Sequence, residues 1–337
     1  MPRNLITDVP GVRVGHADDA KLGSGATVVV FDKPAVAAAD LRGGGPGTRE
    51  SALLDPAMTV ERIDAIALSG GSAFGLDAAS GLQAWLREQG RGYDVRGMKV
   101  PIVPGAILFD LLNGGDKDWG RYPPYRDLGY QAAAQAAPDF ALGSVGGGHG
   151  ASTVDLKGGT GSASATTPDG VTVGALALAN AAGSAVIGGG PHFWAAPFER
   201  NKEFGGRGQP EHVPPEALNF RTKGQPGENT TLVVVVTDAT LTKAQTRRLA
   251  IMAQDGMSRA LRPIHTPLDG DIWLTPLDGK PRRLTNTASS ELDAKLSPRG
   301  THASFVRDQN LVVLDLATGK AGAEYVYDVA PLPFPPA

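Results

Sequence analysis

A threonine at the boundary between a loop and a strand is the residue of this sequence best suited to nucleophilic chemistry. Thr230 follows Asn229 and begins the apolar run TTLVVVV. A threonine hydroxyl needs a neighbouring base, and a free α-amino group on the same residue provides one, since its pKa lies at about 7.7–8.0 in model peptides. That amine exists only after the Asn229–Thr230 bond has been broken. The junction therefore predicts self-cleavage, although an Asn-Thr pair before a strand also suits a cap or a turn.

The next residue, Thr231, is the alternative nucleophile. Successive side chains of a strand point to opposite faces, so Thr230 and Thr231 cannot both face one site. Thr230 adjoins the loop, and its β-branched side chain has few rotamers, which favours a fixed hydroxyl. We therefore take Thr230 as the nucleophile.

The second group of candidate catalytic residues consists of two carboxylates in the segment HTPLDGD. If this segment is extended, Asp269 and Asp271 lie on the same face. Two carboxylates so close repel each other, so one pKa rises and the other falls, which suits orienting a threonine hydroxyl and moving its proton. An Asp-Gly-Asp turn or a cation site explains the same pattern.

Other catalytic signatures are missing from the sequence. Phe74 stands where a nucleophile elbow around Ser72 would need its second glycine, and no glycine-rich stretch ends in Gly-Lys-Ser/Thr. The six histidines are scattered, and cysteine is absent, which excludes disulfides, thiolate catalysis and zinc–thiolate sites. We expect neither a metal nor a cofactor.

The elements that must position these residues alternate between strands and long amphipathic helices. Apolar periodicity predicts helices over 72–89, ending at Gly90, and over 242–261, with Thr242 as its N-cap. The expected apolar faces are Phe74, Ala78, Leu82, Trp85 and Leu86 in the first helix, and Leu249, Met252, Ala253, Met257, Ala260 and Leu261 in the second. Runs rich in Val and Ala predict strands at Ala26–Phe31, Ile63–Ser69, Val171–Asn180 and Thr231–Asp238. This pattern favours a layered α+β or α/β sandwich.

The loop before Thr230 is a suitable place to cut the chain. Residues 205–229 are rich in Gly and Pro and read as an exposed, mobile connection. They run directly into a strand that we expect to be buried on both faces. Cleavage at such a junction leaves the core in place.

The character of the sequence changes after Asp271. Residues 272–320 read as short strands separated by turns and resemble one blade of the β-propeller of prolyl-oligopeptidase-type peptidases. A propeller needs about 4–8 blades, so one blade cannot close a ring. We therefore predict a main domain at 1–271 and a blade-like extension with a disordered tail at 272–337.

Composition narrows the class of partner. The formal net charge is −3 and no basic run is present, so neither nucleic acid nor an anionic membrane is expected. The start of the chain carries charges and a proline where a signal peptide needs an apolar stretch, and the apolar runs are of strand length. We expect a cytoplasmic enzyme.

Several motifs together carry a family resemblance over residues 5–271. The stretches DVPGVRVGH, RGGGPGTRE, ALSGGSAFGLDAASG and GENTTLVVVV…HTPLDGD resemble the L-aminopeptidase/D-esterases, β-peptidyl aminopeptidases and nylon-oligomer hydrolases. The resemblance implies an αββα layered sandwich related to ornithine acetyltransferase. It also implies a precursor that cleaves itself before Thr or Ser into two chains that stay associated, and we expect a homo-oligomer of these cleaved heterodimers.

The resemblance also assigns roles to individual residues. Thr230 matches the nucleophile, and Asp269 and Asp271 match its acidic partners. Lys157 in KGGTG matches an active-site lysine, and Asn180 in ALAN matches an asparagine that positions the nucleophile or stabilises the oxyanion. By themselves, Lys157 suits a solvated loop and Asn180 a strand-end cap.

Two departures separate this chain from that family. Phe109 stands where some relatives have an active-site tyrosine, and the blade-like segment replaces a strand and a closing helix. The expected activity is hydrolysis of short peptides, amino-acid amides or esters, or ω-amino-acid oligomers, and the Asn-Thr and Asp-Gly-Asp motifs lean towards the oligomer hydrolases. The alternatives are an ornithine-acetyltransferase-like acyl transferase and a scaffold made inactive by the replaced C-terminus.

Overall fold

The structure, a computed structural model, describes residues 2–42, 45–218, 223 and 229–265, and six short strands beyond them. The chain divides into two compact units, Met1–Ile264 and His265–Ala337. Asp269 and Asp271 lie outside the described residues.

Five strands of the first unit form a mixed sheet in the order β1-β2-β4-β7-β3. The pairs β1/β2, β2/β4 and β3/β7 are antiparallel, and β4/β7 is parallel. A separate two-stranded hairpin consists of β5 and β6. The strands are β1 (Val12–Asp19), β2 (Ser24–Val36), β3 (Thr48–Arg49), β4 (Arg62–Ser69), β5 (Tyr93–Val95), β6 (Met98–Val100) and β7 (Gly105–Ile107).

Two helices, α1 (Ala78–Glu88) and α2 (Tyr125–Ala134), cover one face of this sheet. Alternate residues of β2 and β4 point towards them. The buried cluster between these elements includes Val28, Val30, Ala65, Ala67, Leu82, Leu86, Tyr125 and Leu128.

The other face of the sheet packs against a second, three-stranded antiparallel sheet. Its strands are β8 (Gly159–Thr166), β9 (Thr172–Asn180) and β10 (Thr230–Thr237), in the order β10-β9-β8. The core between the two sheets includes Val14, Val29, Phe31, Leu68, Leu176, Leu178 and Val234. The layers are those of an α+β sandwich, as the sequence predicted.

Strand β10 differs from its prediction in burial. We expected both of its faces to be buried, but only Val234 is buried, and the other seven residues are half-buried. In the described part of the chain β10 pairs only with β9, so it is an edge strand of its sheet.

The predicted helix over 72–89 is a 3-10 segment at Ser72–Asp77 followed by α1. Phe74 was wrongly placed on the buried face and is 51% exposed. The helical periodicity does not extend to it because the chain has not yet entered α-helical geometry. Gly90 ends the helix as predicted, with a φ of +68°.

The third helix, α3 (Lys243–Ala260), begins as predicted. Thr242 accepts from the backbone N–H of Gln245, and the Gln245 side chain reciprocates in a capping box. Its predicted apolar face is wrong at Met252, which is 59% exposed. The residues that α3 does bury are Lys243 and Gln254. The Lys243 ammonium donates to the carbonyls of residues 53, 58 and 60 at 2.7–3.2 Å.

The second unit contains a four-stranded antiparallel sheet in sequence order, which is the strand arrangement of one propeller blade. Its strands are β13 (Glu291–Leu296), β14 (His302–Arg307), β15 (Asn310–Asp315) and β16 (Ala321–Tyr325). A short pair, β11 (Trp273–Leu274) and β12 (Arg282–Arg283), precedes them. Within the described ranges, no helix has the length and apolarity to cross a membrane.

Candidate active site

Thr230 is the first residue of β10, and its cross-strand partner on β9 is Asn180. The Thr230 hydroxyl is half-buried and donates a hydrogen bond of 2.6 Å to the carbonyl oxygen of Asn229. The hydroxyl therefore lies beside the carbonyl group that it would attack in self-cleavage. Thr231 points to the other face, and among the described residues its buried hydroxyl has no hydrogen-bond partner.

Asn180 is fully buried, and its contacts fix the orientation of its amide. Oδ1 accepts from the Ser152 backbone N–H and from Lys223 Nζ, both at 3.0 Å, and Nδ2 donates to the Phe109 carbonyl at 3.0 Å. Because two donors meet one atom and an acceptor meets the other, the amide cannot be reversed without losing these contacts. Asn180 thus connects three segments of chain beside Thr230.

Lys223 is a site residue that sequence reasoning missed. Its ammonium donates to the Ser152 carbonyl at 2.7 Å, to Ser152 Oγ at 3.1 Å and to Asn180 Oδ1. Its backbone N–H donates to the Ala182 carbonyl at 3.0 Å. The stretch RTKGQPGENTT contains no spacing that could have identified this lysine, since its partners are distant in sequence.

Asn229 is held on the other side of the bond at which the sequence predicts self-cleavage. Its Nδ2 donates to the Lys223 carbonyl at 2.8 Å, and its Oδ1 is buried without a partner among the described residues. The segment that would become the new C-terminus is therefore anchored through Lys223.

Lys157 contacts the residues of this site through its backbone only, at Ser152. It forms an isolated β-bridge with Ser152, while its side chain is exposed. Its predicted role stays a prediction, as do those of Asp269 and Asp271.

Beneath the site, a buried polar network supports the chain next to Phe109. Asp110 Oδ2 accepts from Ser24 Oγ at 2.6 Å, and Asp110 Oδ1 accepts from the Gly71 N–H at 2.7 Å. The Tyr125 hydroxyl donates to Ser24 Oγ at 3.1 Å. Burial raises the pKa of the Asp110 carboxyl, and its effect outweighs that of these hydrogen bonds, which lower the pKa. Burial also raises the pKa of the Tyr125 phenol.

This network explains the glycines of ALSGGSAFG. A Cβ atom on Gly70 would lie 2.1 Å from Asp110 Oδ2, and one on Gly71 would lie 2.1 Å from the Tyr125 ring. Gly71 also has a φ of +81°, which favours glycine. The glycines are thus required by close approach to the network, and no phosphate site need be invoked.

Among the described residues, no group of three or more His, Asp or Glu side chains is arranged to hold a metal ion. The groups gathered around Thr230 are a hydroxyl, two amides, an ammonium and backbone carbonyls. This set suits acyl transfer to a hydroxyl.

Comparison with known proteins is consistent with this chemistry. The chain is 48% identical to an uncharacterized aminopeptidase of Mycobacterium tuberculosis over 279 residues, covering 80% of this chain and 79% of that one. It is 29% identical to a 6-aminohexanoate-oligomer endohydrolase of a Kocuria species over 276 residues, covering 79% of this chain and 73% of the other. These relatives do not favour an acyl transferase.

Solved structures match the fold. A β-aminopeptidase of a Burkholderia species matches with a TM-score of 0.54 and 26% identity, covering 77% of this chain and 68% of that chain. The L-aminopeptidase D-Ala-esterase/amidase of Ochrobactrum anthropi, described as a variant of the Ntn-hydrolase fold, matches with a TM-score of 0.53. Its identity is 23%, over 78% of this chain and 70% of that one, so it supports the fold alone.

Residues 4–327 match peptidase family S58, a span that includes all of the blade-like residues 272–320. The chain therefore belongs to peptidase family S58 and is an amide hydrolase with the Ntn-hydrolase type of α+β sandwich.

Proposed function

We propose that this amide hydrolase processes itself between Asn229 and Thr230 and then uses Thr230 as an N-terminal nucleophile. The observation that carries the proposal is the 2.6 Å contact between Thr230 Oγ1 and the Asn229 carbonyl oxygen, at the start of a strand held in the core.

In the processing step, Thr230 Oγ1 adds to the Asn229 carbonyl carbon and gives up its proton. The C–N bond then breaks, the Thr230 nitrogen gains a proton, and an ester joins Asn229 to the threonine oxygen. Water hydrolyses this ester, which leaves a carboxylate on Asn229 and restores the hydroxyl. The products are chains 1–229 and 230–337.

Substrate hydrolysis repeats the same chemistry. The freed α-amine of Thr230 takes the proton of its own hydroxyl, which attacks the substrate carbonyl and forms an acyl-enzyme. The leaving amine departs with a proton, and water releases the acyl group. The fixed position of Asn180 opposite Thr230 supports a role in positioning the nucleophile, and we retain Asp269, Asp271 and Lys157 as further candidates.

The substrate class is short peptides, amino-acid amides or ω-amino-acid oligomers. The names of the aminopeptidase and oligomer-hydrolase relatives support this range. The homo-oligomer of cleaved heterodimers and the cytoplasmic location belong to the same proposal.

Intact-mass analysis of the purified protein tests it directly. The parent should give the masses of 1–229 and 230–337, and Thr230→Ala should give one full-length chain, because it has no hydroxyl to attack. Thr231→Ala is the matched control and should be processed, since its hydroxyl lies on the other face of β10.

The two processed chains should co-elute under native conditions, because β10 pairs with β9 at eight positions. An N-terminus other than Thr230, or a processed Thr230→Ala variant, would contradict the assignment.

A further inference from the structure

A buried carboxylate is connected to both of the groups that orient the amide of Asn180. Asp110 is fully buried, and its oxygens accept from Ser24 Oγ at 2.6 Å and from the Gly71 N–H at 2.7 Å. Burial of a carboxylate costs free energy unless hydrogen bonds offset the cost, and here burial still raises the pKa of the carboxyl. Packing alone therefore does not account for an aspartate at this position.

The first connection runs along the chain. The Phe109 carbonyl accepts from Asn180 Nδ2 at 3.0 Å and belongs to the peptide group that leads into Asp110. A peptide group is planar, so anchoring residue 110 restricts the direction in which this carbonyl points. The acceptor for the Asn180 amide is thus held by the side chain of the next residue.

The second connection is a close packing contact. A Cβ atom on Gly150 would lie 2.5 Å from Asp110 Oδ2, so the glycine backbone packs against the carboxylate. Gly150 is two residues before Ser152, whose N–H donates to Asn180 Oδ1 at 3.0 Å. Asp110 therefore borders both of the chain segments that carry the acceptor and the donor for the Asn180 amide.

Asp110 also holds a strained turn in place. Gly71 and Ser72 follow β4, and both have left-handed backbone conformations, with φ of +81° and +52°. A serine keeps such a conformation only where its surroundings impose it, and strain of this kind is concentrated at functional sites. The Gly71 N–H donates to Asp110, and the Ser72 N–H donates to the Leu108 carbonyl at 2.9 Å. The turn is thus fixed to the same segment, residues 108–110, that carries the acceptor for the buried amide.

We propose that Asp110 is a positioning residue of this hydrolase, whose buried carboxylate fixes the Phe109 carbonyl and the 150–152 segment and, through them, the Asn180 amide opposite Thr230. The inference rests on the proposed function and deepens it. Because the side chain of Asp110 is buried, it contributes to the rate by keeping Asn180 in place and not by touching the substrate. Substituting it should therefore lower kcat and leave KM unchanged.

Two substitutions of Asp110 test this assignment, by the kinetics of the processed protein on L-alanyl p-nitroanilide. Asp110→Ala leaves the Gly71 N–H and the Ser24 hydroxyl without their acceptor. Its kcat should fall by about 10- to 100-fold at the parent KM, since a misplacement of about 1 Å costs up to about 10²-fold. Asp110→Asn should restore most of that loss, because its amide can accept from the Gly71 N–H and donate to Ser24 Oγ.

Ser24→Ala tests the same network with a smaller change, so that a failure of Asp110→Ala to fold does not end the experiment. It removes the hydroxyl that donates to Asp110 and that accepts from the Tyr125 hydroxyl at 3.1 Å. The carboxylate then loses one of its two donors, and kcat should again fall at an unchanged KM.

Thr7→Val is the matched control. Thr7 is also buried, and its hydroxyl donates to the Pro138 carbonyl at 2.6 Å, so the substitution removes a hydrogen bond of similar length and burial. The neighbouring Ile6 packs against Gly174, which lies six residues along β9 from Asn180. This variant should keep the parent kcat.

Crystal structures of the parent and of Ser24→Ala show whether the effect passes through Asn180. The Phe109 carbonyl or the Asn180 amide should shift in the variant. A lowered kcat with both groups in their parent positions would overturn the inference.

The kinetic results can overturn it as well. A parent kcat in Asp110→Ala or Ser24→Ala, or a change confined to KM, would show that the network serves stability alone. A folded Asp110→Asn as slow as Asp110→Ala would show that the charge itself is needed. A parent protein that is neither processed at Thr230 nor active on the anilide contradicts the proposed function instead.

Discussion

The role of Asn180 follows from the groups that its side chain holds in place. Its buried amide joins Ser152, Lys223 and the Phe109 carbonyl, and the last of these is continuous with the buried Asp110 network. Leaving such groups without partners costs about 1–3 kcal/mol each. The amide therefore fixes the wall opposite Thr230.

The two predicted carboxylates provide a residue-scale prediction. Asp269→Asn and Asp271→Asn should each lower processing or turnover by about 10²–10⁴-fold, the range of an acid–base group. Rates of precursor loss by intact mass and of anilide hydrolysis measure the effect. Asp255→Asn, on an exposed position of α3, is the control. If both variants match the parent rate, the Asp-Gly-Asp segment is only a turn.

At the scale of elements, glycines set how closely the helical layer packs. A Cβ on Gly81 of α1 would lie 1.9 Å from the Arg126 carbonyl of α2, and one on Gly129 of α2 would lie 2.1 Å from the Ala78 carbonyl of α1. The two helices therefore meet backbone to backbone. Since these atoms belong to the backbone, a methyl group can be accommodated only by separating the helices.

Two alanine substitutions should have opposite effects on stability. Gly81→Ala should lower the free energy of unfolding by about 1–3 kcal/mol through overpacking. Gly256→Ala, in α3 with open space around it, should raise it by about 0.5–1 kcal/mol because alanine favours the helix. Denaturant unfolding measures both. A neutral or stabilising Gly81→Ala would show that the contact between α1 and α2 is looser than described.

At the scale of the whole molecule, a half-buried histidine links the first sheet to the loop that follows α2. His16 on β1 contacts Thr27 Oγ1 on β2 at 2.9 Å and the Ala141 carbonyl at 3.1 Å. Burial is the main cause that lowers its pKa, and it outweighs the hydrogen bond to Ala141 and the charge of Asp18, which raise it. The folded protein therefore favours the neutral form of this side chain more than the unfolded chain does.

Stability should consequently depend on pH through His16. Its folded pKa lies below the unfolded value of about 6.5, so the unfolded chain takes up the proton first as the pH falls. The stabilisation is fully present above about pH 6.5 and is lost as the pH falls through the folded pKa. Urea unfolding between pH 5 and 7 should show this slope in the parent and a smaller one in His16→Gln.

The control is His212→Gln, at an exposed histidine, which should keep the parent slope. Equal slopes for parent and His16→Gln would show that other groups control this part of the pH dependence.

The sequence by itself determined the features that depend on neighbouring residues. The four predicted strands, the Thr242 cap, the stop at Gly90 and the loop–strand junction at Thr230 follow from local periodicity and turn chemistry. The motifs indicated the family, because they stand in the same order along most of the chain. Local pattern did not reveal β1, β8 or α2, because Gly, Ser and short polar residues interrupt their periodicity.

Only the tertiary structure decided which groups surround Thr230. Lys223 and Ser152 are 71 residues apart, Ser24 and Asp110 are 86 apart, and Tyr125 and Ser24 are 101 apart, so no local spacing encodes these contacts. The tertiary structure also decided the exposure of Phe74 and Met252, because a periodic pattern predicts the apolar side of a helix but not which elements cover it. Side-chain contacts depend on how β9, β10 and the glycine loops come together, and that arrangement exists only after the layers have packed.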